Sequence, residues 1–413
     1  MEFKIFKNTV LLFVLVFISC GNNNRPKVKS GKPKAENQKL KIEAPIVGAN
    51  QTADYLSLLK NKNIGVVANQ TSVIFKGEGN KHYTHLVDSL VSLNIKINTV
   101  FAPEHGFRGT ADAGEHIKDG IDKKTGISII SLYGDNKKPK AKQLNNLDVV
   151  VFDIQDVGVR FYTYISTLHY VMEACAENNI PVLILDRPNP NGYYIDGPVL
   201  EMENKSFVGM HPIPVVHGMT IGEYAQMING EKWLKNNVSC NLTVIPIKHY
   251  THKTPYNLPI KPSPNLPNNT SINLYPSLCF FEGTNVNAGR GTETQFQVFG
   301  SPFLSSDVFT YQYTPKPNNG SKHPKHKNKL CFGENLTKNE PLKKLNLTWL
   351  IKAFNNTKDK NVFFNNFFIK LSGSKNLRQQ IESGLSENEI RDSWQSDLNQ
   401  FTKVRTKYLI YPD

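Results

Sequence analysis

The chain has 413 residues, of which 39% are hydrophobic and 20% are charged, and its formal net charge at pH 7 is +14. The excess of lysine does not indicate nucleic-acid binding, because the sequence lacks a helix-turn-helix, a zinc finger and any aromatic-basic motif. The positive charge would instead attract the protein to anionic lipid, cell-wall polymer or acidic sugar, through an interaction that salt screens.

The N-terminus has the pattern of a bacterial lipoprotein signal. Two lysines precede an apolar run over residues 10–18, and Cys20 follows. The run is shorter than the roughly 20 apolar residues that span a bilayer. We therefore expect a signal peptide over residues 1–20, lipidation of Cys20 and an exported, membrane-anchored protein; a plain secretory signal or a buried helix is the alternative. Residues 21–42 are rich in Asn, Lys and Pro, which predicts a flexible tether.

Three strands are predicted next, over residues 95–101, 147–153 and 181–186, and the last two are apolar runs. Such runs, separated by helical patterns like that of residues 163–177, indicate parallel strands covered on both faces. We therefore predict an α/β fold with a doubly wound sheet in a first domain over residues 43–205. The first strand-to-helix turn has neither a G-x-G-x-x-G nor a P-loop motif, so no nucleotide cofactor is expected.

The pattern changes after this domain. Residues 206–300 are predicted to connect the domains and to carry site loops, with a threonine-capped helix near 220–228 and a strand at 242–247. Residues 301–413 are predicted to form a smaller, mixed α/β domain, in which 361–371 is a strand candidate.

The lysine- and asparagine-rich segment 311–339 is expected to be an exposed insertion, with His323 and His326 on a solvated face. Four cysteines remain after Cys20, and no C-x-x-C pair indicates a zinc or redox site. Cys175 lies in a helical pattern and is expected to be a buried thiol.

The loop after the first predicted strand carries the densest group of charged side chains: Glu104, His105, Arg108, Glu115 and His116. Its glycines allow a ligand to approach the backbone closely. Glycoside hydrolysis needs a carboxylic acid that protonates the leaving oxygen, and usually a second group for the water or the sugar cation. Glu104 is the candidate for the acid. The alternative is a structural ion pair between Glu104 and Arg108.

Polar residues also follow the other two strands and occur in two later loops. The candidates after the strands are Asp156, Arg160, Tyr162, Tyr164, Arg187 and Asn189, and those of the later loops are Asn265, Glu282, Asn285, Arg290 and Thr292. Ligands of open parallel sheets bind beyond the carboxyl ends of the strands, so the loops of the first domain should converge on one crevice. Arg290 lies between glycines and can offer a planar fork of donors to a carboxylate; its alternative partner is Glu282 or Glu293.

The alternative for this crevice is a metal site. His105, Glu115, His116, Asp153 and Asp156 offer imidazole and carboxylate ligands, but their spacing matches no established metal motif. We therefore expect neither a metal nor another cofactor.

Several long motifs together resemble the NamZ-type exo-β-N-acetylmuramidases, glycoside hydrolase family 171, formerly a domain of unknown function. The motifs are PEHGFRG at 103–109, FDIQDVGVRFYTYIST at 152–167, LDRPNP at 185–190, SPNLP at 263–267, and FEGTN with GRGTETQF within 281–296. The resemblance extends from about Pro45 to the closing pattern at 394–411. It implies a Rossmann-like N-terminal domain without a nucleotide, a smaller C-terminal domain and a cleft between them. It also implies release of N-acetylmuramic acid (MurNAc) from the non-reducing end of peptidoglycan fragments, with catalysis at Glu104 and His105.

Selection of MurNAc requires recognition of its lactyl carboxylate, for which Arg160, Arg187 and Arg290 are the candidates. Tyr162 and Tyr164 could stack on the sugar ring. Glu282 is the candidate for a second catalytic group. The predicted substrate-binding residues are Arg108, Glu115, Asp156, Arg160, Tyr162, Tyr164, Arg187, Asn189, Asn265, Asn285, Arg290 and Thr292. Two rival functions are a non-catalytic lipoprotein that binds muropeptides and a metal-dependent amidase or esterase of the same polymer.

Overall fold

A computed structural model describes residues 43–80, 82–109, 115 and 119–413. The predicted signal peptide, Cys20, the tether and His116 lie outside the described residues. The strands are β1 (Ile64–Ala68), β2 (Val73–Lys76), β3 (His82–His85), β4 (Ile97–Ala102), β5 (Gly120–Ile121), β6 (Ser128–Ser131), β7 (Val149–Asp153), β8 (Val182–Leu185), β9 (Leu242–Ile245), β10 (Val298–Ser301), β11 (Tyr311–Tyr313) and β12 (Cys331–Asn335). The helices are α1 (Thr52–Leu59), α2 (Leu86–Ser92), α3 (Ala141–Leu144), α4 (Tyr164–Glu177), α5 (Ile221–Gly230), α6 (Asn269–Leu278), α7 (Thr348–Asn355), α8 (Phe367–Ser372), α9 (Asn376–Glu382), α10 (Glu387–Ser393) and α11 (Gln395–Arg405).

A seven-stranded sheet in the order β5-β6-β4-β1-β7-β8-β9 forms the centre of the fold. All of its strand pairs are parallel except that of β5 with β6. Along β1, Val66 packs into the core on one face and Val67 into the core on the other. Because both faces are covered, the apolar residues of β1 and β7 form uninterrupted runs rather than an alternating pattern.

The structure confirms the three predicted strands as β4, β7 and β8, and the helix at 163–177 as α4. It also confirms the helix after Thr220, whose hydroxyl accepts from the main-chain N–H of Glu223 in a capping box. The strand at 242–247 is β9, which completes the central sheet. The sheet therefore extends beyond residue 205, into the segment predicted to connect two domains.

The predicted strand at 361–371 is wrong, because its second half forms α8. Phe363 and Phe364 precede this helix, and Phe364 forms an isolated bridge with Thr284, whereas Phe367 and Phe368 lie in the first turn of α8. Phe364 and Phe368 are in ring contact, with centroids 4.5 Å apart. The aromatic run is thus divided between a turn and a helix and does not form a strand.

The segment 311–339 contributes two strands to a small antiparallel sheet of order β10-β12-β11. His326, expected on a solvated face, is half-buried, and its Nε2 lies 2.6 Å from the Asn285 carbonyl oxygen. Burial lowers the pKa of His326. His323 is exposed, as expected. The prediction of a loose exposed loop does not describe this segment, because its two strands and His326 contact the body of the protein.

The four cysteines from Cys175 onward are free and buried, which confirms the prediction for Cys175. No described helix has the length and apolar character needed to cross a membrane.

Candidate active site

The loop after β4 forms a tight turn at the carboxyl edge of the central sheet. The Gly106 N–H donates to the Pro103 carbonyl at 3.0 Å. His105 has a φ of +70° and Gly106 a φ of +79°. Positive φ is uncommon for residues other than glycine and is found at sites where function constrains the backbone. This turn presents Glu104 and His105 to a common pocket, the inner pocket.

The inner pocket has a volume of about 190 Å³, and its walls combine aromatic and polar side chains. Its polar lining residues are Glu104, His105, Tyr133, Tyr162, Thr163, Ser263, Asn265, Tyr275, Glu282 and Arg290. Phe161, Phe207 and Phe296 also line it, and α8 contributes Phe367 and Leu371. The volume lies below the roughly 300–1,000 Å³ of pockets for drug-sized ligands, so the inner pocket suits one sugar unit.

Glu104 is half-buried among hydroxyl groups. The Thr163 hydroxyl donates to Glu104 Oε2 at 2.6 Å. Burial and the neighbouring Glu104 carboxylate raise the pKa of Tyr133. Tyr133 is therefore a neutral hydroxyl donor beside Glu104, the predicted acid. It lies in the loop that follows β6, the strand next to β4.

Glu282 and Arg290 form an ion pair at the inner pocket, with 2.9 Å between Arg290 Nε and Glu282 Oε1. Burial acts to raise the pKa of Glu282, but the charges of Arg290 and Lys325 outweigh it and hold this pKa below its ordinary value. This ion pair favours the ionised form of Glu282, which suits a charged neighbour of the reaction better than a proton donor. The Arg290 guanidinium also lies over the Phe296 ring, 5.2 Å from its centroid.

A second, larger pocket, the outer pocket, has a volume of about 670 Å³. Glu282 and Arg290 line both pockets, so the two adjoin. The rest of the outer pocket is formed by Glu115, Asn287, Ala288 and residues 320–325. The segment 311–339 thus belongs to the site, although its sequence indicated only an insertion.

Arg108 bonds to two other carboxylates rather than to Glu104. Its Nη2 lies 2.8 Å from Asp122 Oδ2 and 3.2 Å from Asp88 Oδ1. The alternative of a structural Glu104–Arg108 pair is therefore contradicted, and Arg108 anchors the loop to its neighbours.

Of the three arginines that are candidates for binding the lactyl carboxylate, Arg160 and Arg187 bind protein groups away from the pockets. Arg160 is buried and donates to four main-chain carbonyls at 2.7–2.9 Å, those of Pro198, Ile213, Leu371 and Ser372. Arg187 is buried against Asp153, with contacts of 2.6 Å and 2.9 Å to the two carboxylate oxygens. These contacts give Arg160 and Arg187 structural roles. Arg290 is the candidate that lines the inner pocket.

The other predicted site residues divide into two groups. Glu104, His105, Tyr162, Asn265, Glu282 and Arg290 meet at the inner pocket, and Glu115 lines the outer one. Arg108, Asp156, Arg160, Tyr164, Arg187, Asn189, Asn285 and Thr292 line neither pocket.

The residues outside the pockets support the loops around them. Tyr164 is buried, and its hydroxyl donates to the Pro262 carbonyl at 3.1 Å. Asp156 is also buried; it accepts from the Gly158 N–H at 2.6 Å, and burial raises its pKa to about 7. Asn189 Nδ2 donates to the Met219 carbonyl, and Thr292 Oγ1 to the Gly289 carbonyl. In the structure these side chains therefore contact protein groups, and their predicted contacts to substrate stay predictions.

Four lining residues of the inner pocket are not among the predicted site residues: Tyr133, Thr163, Phe207 and Tyr275. Tyr133 comes two residues after β6, so the rule that sites follow parallel strands could have found it. Phe207 and Tyr275 lie in segments without any strand-end signal, and only the folded structure brings them to the pocket.

No group of three or more His, Cys, Asp or Glu side chains placed to hold a metal ion occurs in the described ranges 43–80, 82–109, 115 and 119–413.

A half-buried carboxyl group and an ion pair, which line one sugar-sized pocket at the edge of a parallel sheet, define the class as a carbohydrate-active α/β protein. Residues 64–270 match the family model "Exo-beta-N-acetylmuramidase NamZ, N-terminal", and residues 273–411 match "Exo-beta-N-acetylmuramidase NamZ, C-terminal". The chain therefore belongs to the NamZ family, which confirms the resemblance drawn from its motifs.

Relatives and solved structures agree with this family. The chain is 40% identical over 410 residues to the peptidoglycan beta-N-acetylmuramidase NamZ of Bacillus subtilis (strain 168), covering 92% of this chain and 95% of that one. Crystal structures of two DUF1343 family proteins from Bacteroides fragilis NCTC 9343 are also similar. One is 46% identical with a TM-score of 0.81, over 90% of this chain and 100% of that one. The other is 28% identical with a TM-score of 0.73, over 89% and 99%. The predicted α/β fold is confirmed by these structures.

Proposed function

We propose that the protein is an exo-β-N-acetylmuramidase that hydrolyses the bond between a non-reducing-end MurNAc and the next sugar of a peptidoglycan fragment. The observation that carries this proposal is the position of Glu104 in a pocket sized for one sugar, next to a larger pocket. Membership of the NamZ family and the activity named for the Bacillus subtilis relative support it. An enzyme that removes terminal sugars needs a small pocket for the sugar released and an open region for the rest of the glycan.

In the proposed reaction, Glu104 donates its proton to the glycosidic oxygen as the bond between that oxygen and the anomeric carbon breaks. Water supplies the oxygen of the new bond to the anomeric carbon and gives up a proton, so that the acid is restored at the end of the cycle. Glu282, whose ionised form is favoured by Arg290 and Lys325, is proposed to accept a proton or to orient Arg290. Tyr133 and Thr163 hold the Glu104 carboxyl group in place.

Turnover of defined sugars tests this function. Purified residues 21–413 are incubated with a disaccharide of MurNAc and N-acetylglucosamine (GlcNAc), MurNAc-GlcNAc, and with a chromogenic β-MurNAc. Release of free MurNAc supports the glycosidase. Binding without turnover would support the muropeptide-binding lipoprotein, and loss of activity with a chelator would support the metal-dependent amidase or esterase.

Arg290 is proposed to bind the lactyl carboxylate of MurNAc. Its two terminal nitrogens have no hydrogen-bond partner in the part of the chain that the structure describes, whereas Nε holds Glu282. A bidentate contact needs the planar fork of arginine, which lysine lacks. Arg290→Lys is therefore expected to lower kcat/KM for a β-MurNAc substrate about thirtyfold, or about 2 kcal/mol, and to change kcat/KM for the matched β-GlcNAc substrate much less.

The control for this substitution is Arg378→Lys, in an exposed ion pair with Glu382 on α9. It should leave the activity on both sugars unchanged. An equal loss on both sugars in Arg290→Lys, or no loss on either, would show that Arg290 is not the carboxylate reader.

The proposal also places the protein in the cell envelope, held by lipid on Cys20, because the sequence has a lipoprotein signal pattern. The full-length protein should then partition into the detergent phase on phase separation, and Cys20→Ser should shift it to the soluble exported fraction. Partitioning that does not change in Cys20→Ser would contradict lipidation and favour a plain secretory signal or a retained apolar helix.

A further inference from the structure

Tyr275 belongs to α6 and lines the inner pocket, but it takes no part in the reaction proposed above. Its side chain is buried. Burial raises the pKa of Tyr275 well above its ordinary value, so the hydroxyl is neutral and can donate a hydrogen bond. Its hydrogen-bonding neighbour is the thiol of Cys279, four residues further along the chain. A thiol sulfur is a weak acceptor, so this hydroxyl suits a ligand oxygen better.

Three aromatic rings fix the orientation of the Tyr275 side chain. Its ring centroid lies 5.5 Å from that of Phe161, 5.8 Å from that of Tyr162 and 4.9 Å from that of Phe296. All three pairs are edge-to-face, which is an arrangement that the quadrupoles of aromatic rings favour. The ring is thus held in one orientation before any ligand binds, which lowers the entropy that binding costs.

The same contacts place Tyr275 near both Glu104 and Arg290. The Arg290 guanidinium lies over the Phe296 ring, 5.2 Å from its centroid. Thr163 follows another of the three rings directly along the chain, and its hydroxyl donates to Glu104 Oε2 at 2.6 Å. The charges of Glu104 and Arg290 both act on the Tyr275 hydroxyl, in opposite directions. Tyr275 therefore lies near the predicted acid and near the arginine that is proposed to bind the lactyl carboxylate.

The order of the substituents on MurNAc indicates what this hydroxyl can contact. Three adjacent ring carbons carry the glycosidic oxygen, the acetamido group and the lactyl ether, in that order. When Glu104 meets the glycosidic oxygen and Arg290 meets the lactyl carboxylate, a group near both of them lies beside the acetamido group. The carbonyl oxygen of that group loses water on entering the pocket and needs a donor in its place.

We propose that the Tyr275 hydroxyl donates a hydrogen bond to the carbonyl oxygen of the acetamido group, so that the inner pocket selects the N-acetylated sugar. This inference rests on the proposed muramidase function. It makes Tyr275 a specificity-determining residue, whereas Glu104 carries the proton transfer.

The experiment compares two chromogenic β-glycosides that both carry the lactyl ether. One is β-MurNAc, and the other is its 2-deoxy analogue, in which hydrogen replaces the acetamido group. The kcat/KM values are measured for the wild type, Tyr275→Phe and Tyr83→Phe. Phenylalanine keeps the ring contacts of Tyr275 and removes only the hydroxyl. Tyr83 is exposed on β3 and lines neither the inner nor the outer pocket, so its substitution is the matched control.

We expect Tyr275→Phe to lower kcat/KM for β-MurNAc about tenfold, because one hydrogen bond to a desolvated carbonyl is lost, and to leave kcat/KM for the 2-deoxy analogue unchanged. The two glycosides differ in intrinsic reactivity, so each variant is compared with the wild type on the same glycoside. Both glycosides are assayed with one enzyme sample, so the ratio of the two changes does not depend on the folded fraction.

An equal loss on both glycosides, no loss on β-MurNAc, or the same selective loss in Tyr83→Phe would overturn the inference. Absence of MurNAc release from β-MurNAc by the wild type would instead refute the proposed function, so the two failures are distinguishable.

Discussion

Glu104→Gln is expected to lower kcat about a hundredfold to ten-thousandfold, because the amide keeps the shape of the carboxyl group but has no proton to transfer. The amide oxygen can still accept the hydrogen bond from Thr163, so the fold and substrate binding should be retained. The measurements are turnover of a chromogenic β-MurNAc, the thermal unfolding midpoint and the affinity for the MurNAc-GlcNAc disaccharide.

Glu293→Gln is the matched control for this substitution. Glu293 is exposed on the loop that carries Arg290 and lines neither the inner nor the outer pocket. It should have wild-type activity. Near wild-type turnover in Glu104→Gln would refute Glu104 as the acid, and loss of turnover together with unfolding would show that its role is structural.

Arg187→Met is expected to destabilise the fold by about 3–5 kcal/mol, because it leaves the Asp153 carboxylate buried without its partner. Methionine retains the apolar volume of the arginine stem, so the effect reports mainly on charge. Denaturant unfolding followed by circular dichroism gives the free energy of unfolding. The control Arg378→Met removes an exposed arginine of an ion pair and should cost less than about 1 kcal/mol.

The same variant has an expected pH dependence. Burial raises the pKa of Asp153 above its ordinary value of 3.8, while Arg187 opposes this rise. Removing Arg187 should raise the pKa of Asp153 further. A carboxyl group with a raised folded-state pKa costs no stability below its unfolded pKa, costs progressively more as pH rises to the folded pKa, and keeps this full cost above it. The loss of stability in Arg187→Met should therefore be smaller near pH 4 than near pH 7, and a loss independent of pH would contradict the charge argument.

The sheet could be predicted from the sequence because parallel strands that are buried on both faces have an unbroken apolar run of residues. β7 and β8 have such a run, whereas β4 contains Asn98 and Thr99 before its apolar end. The loops after such strands must share one sheet edge, so the position of Glu104 and His105 also followed. The family motifs then supplied the expected substrate, which local patterns alone do not specify.

The partner of each arginine could not be predicted, because the same side chain can bind a ligand carboxylate, a protein carboxylate or main-chain carbonyls. Arg290 bonds to Glu282, Arg187 to Asp153, and Arg160 to carbonyls from distant segments. These contacts join residues up to 212 positions apart in the chain. The strand predicted at 361–371 is wrong because aromatic residues are common in strands, whereas residues 367–372 continue as α8.

The position of Lys325 in the chain has a consequence for when the active site is complete. Glu104 follows β4, whereas Lys325 belongs to the segment 311–339 and donates to main-chain carbonyls on either side of Glu282. A chain that is still being synthesised and has not reached residue 325 therefore lacks this support for the loop that carries Glu282. We expect hydrolysis only once most of the chain has been made.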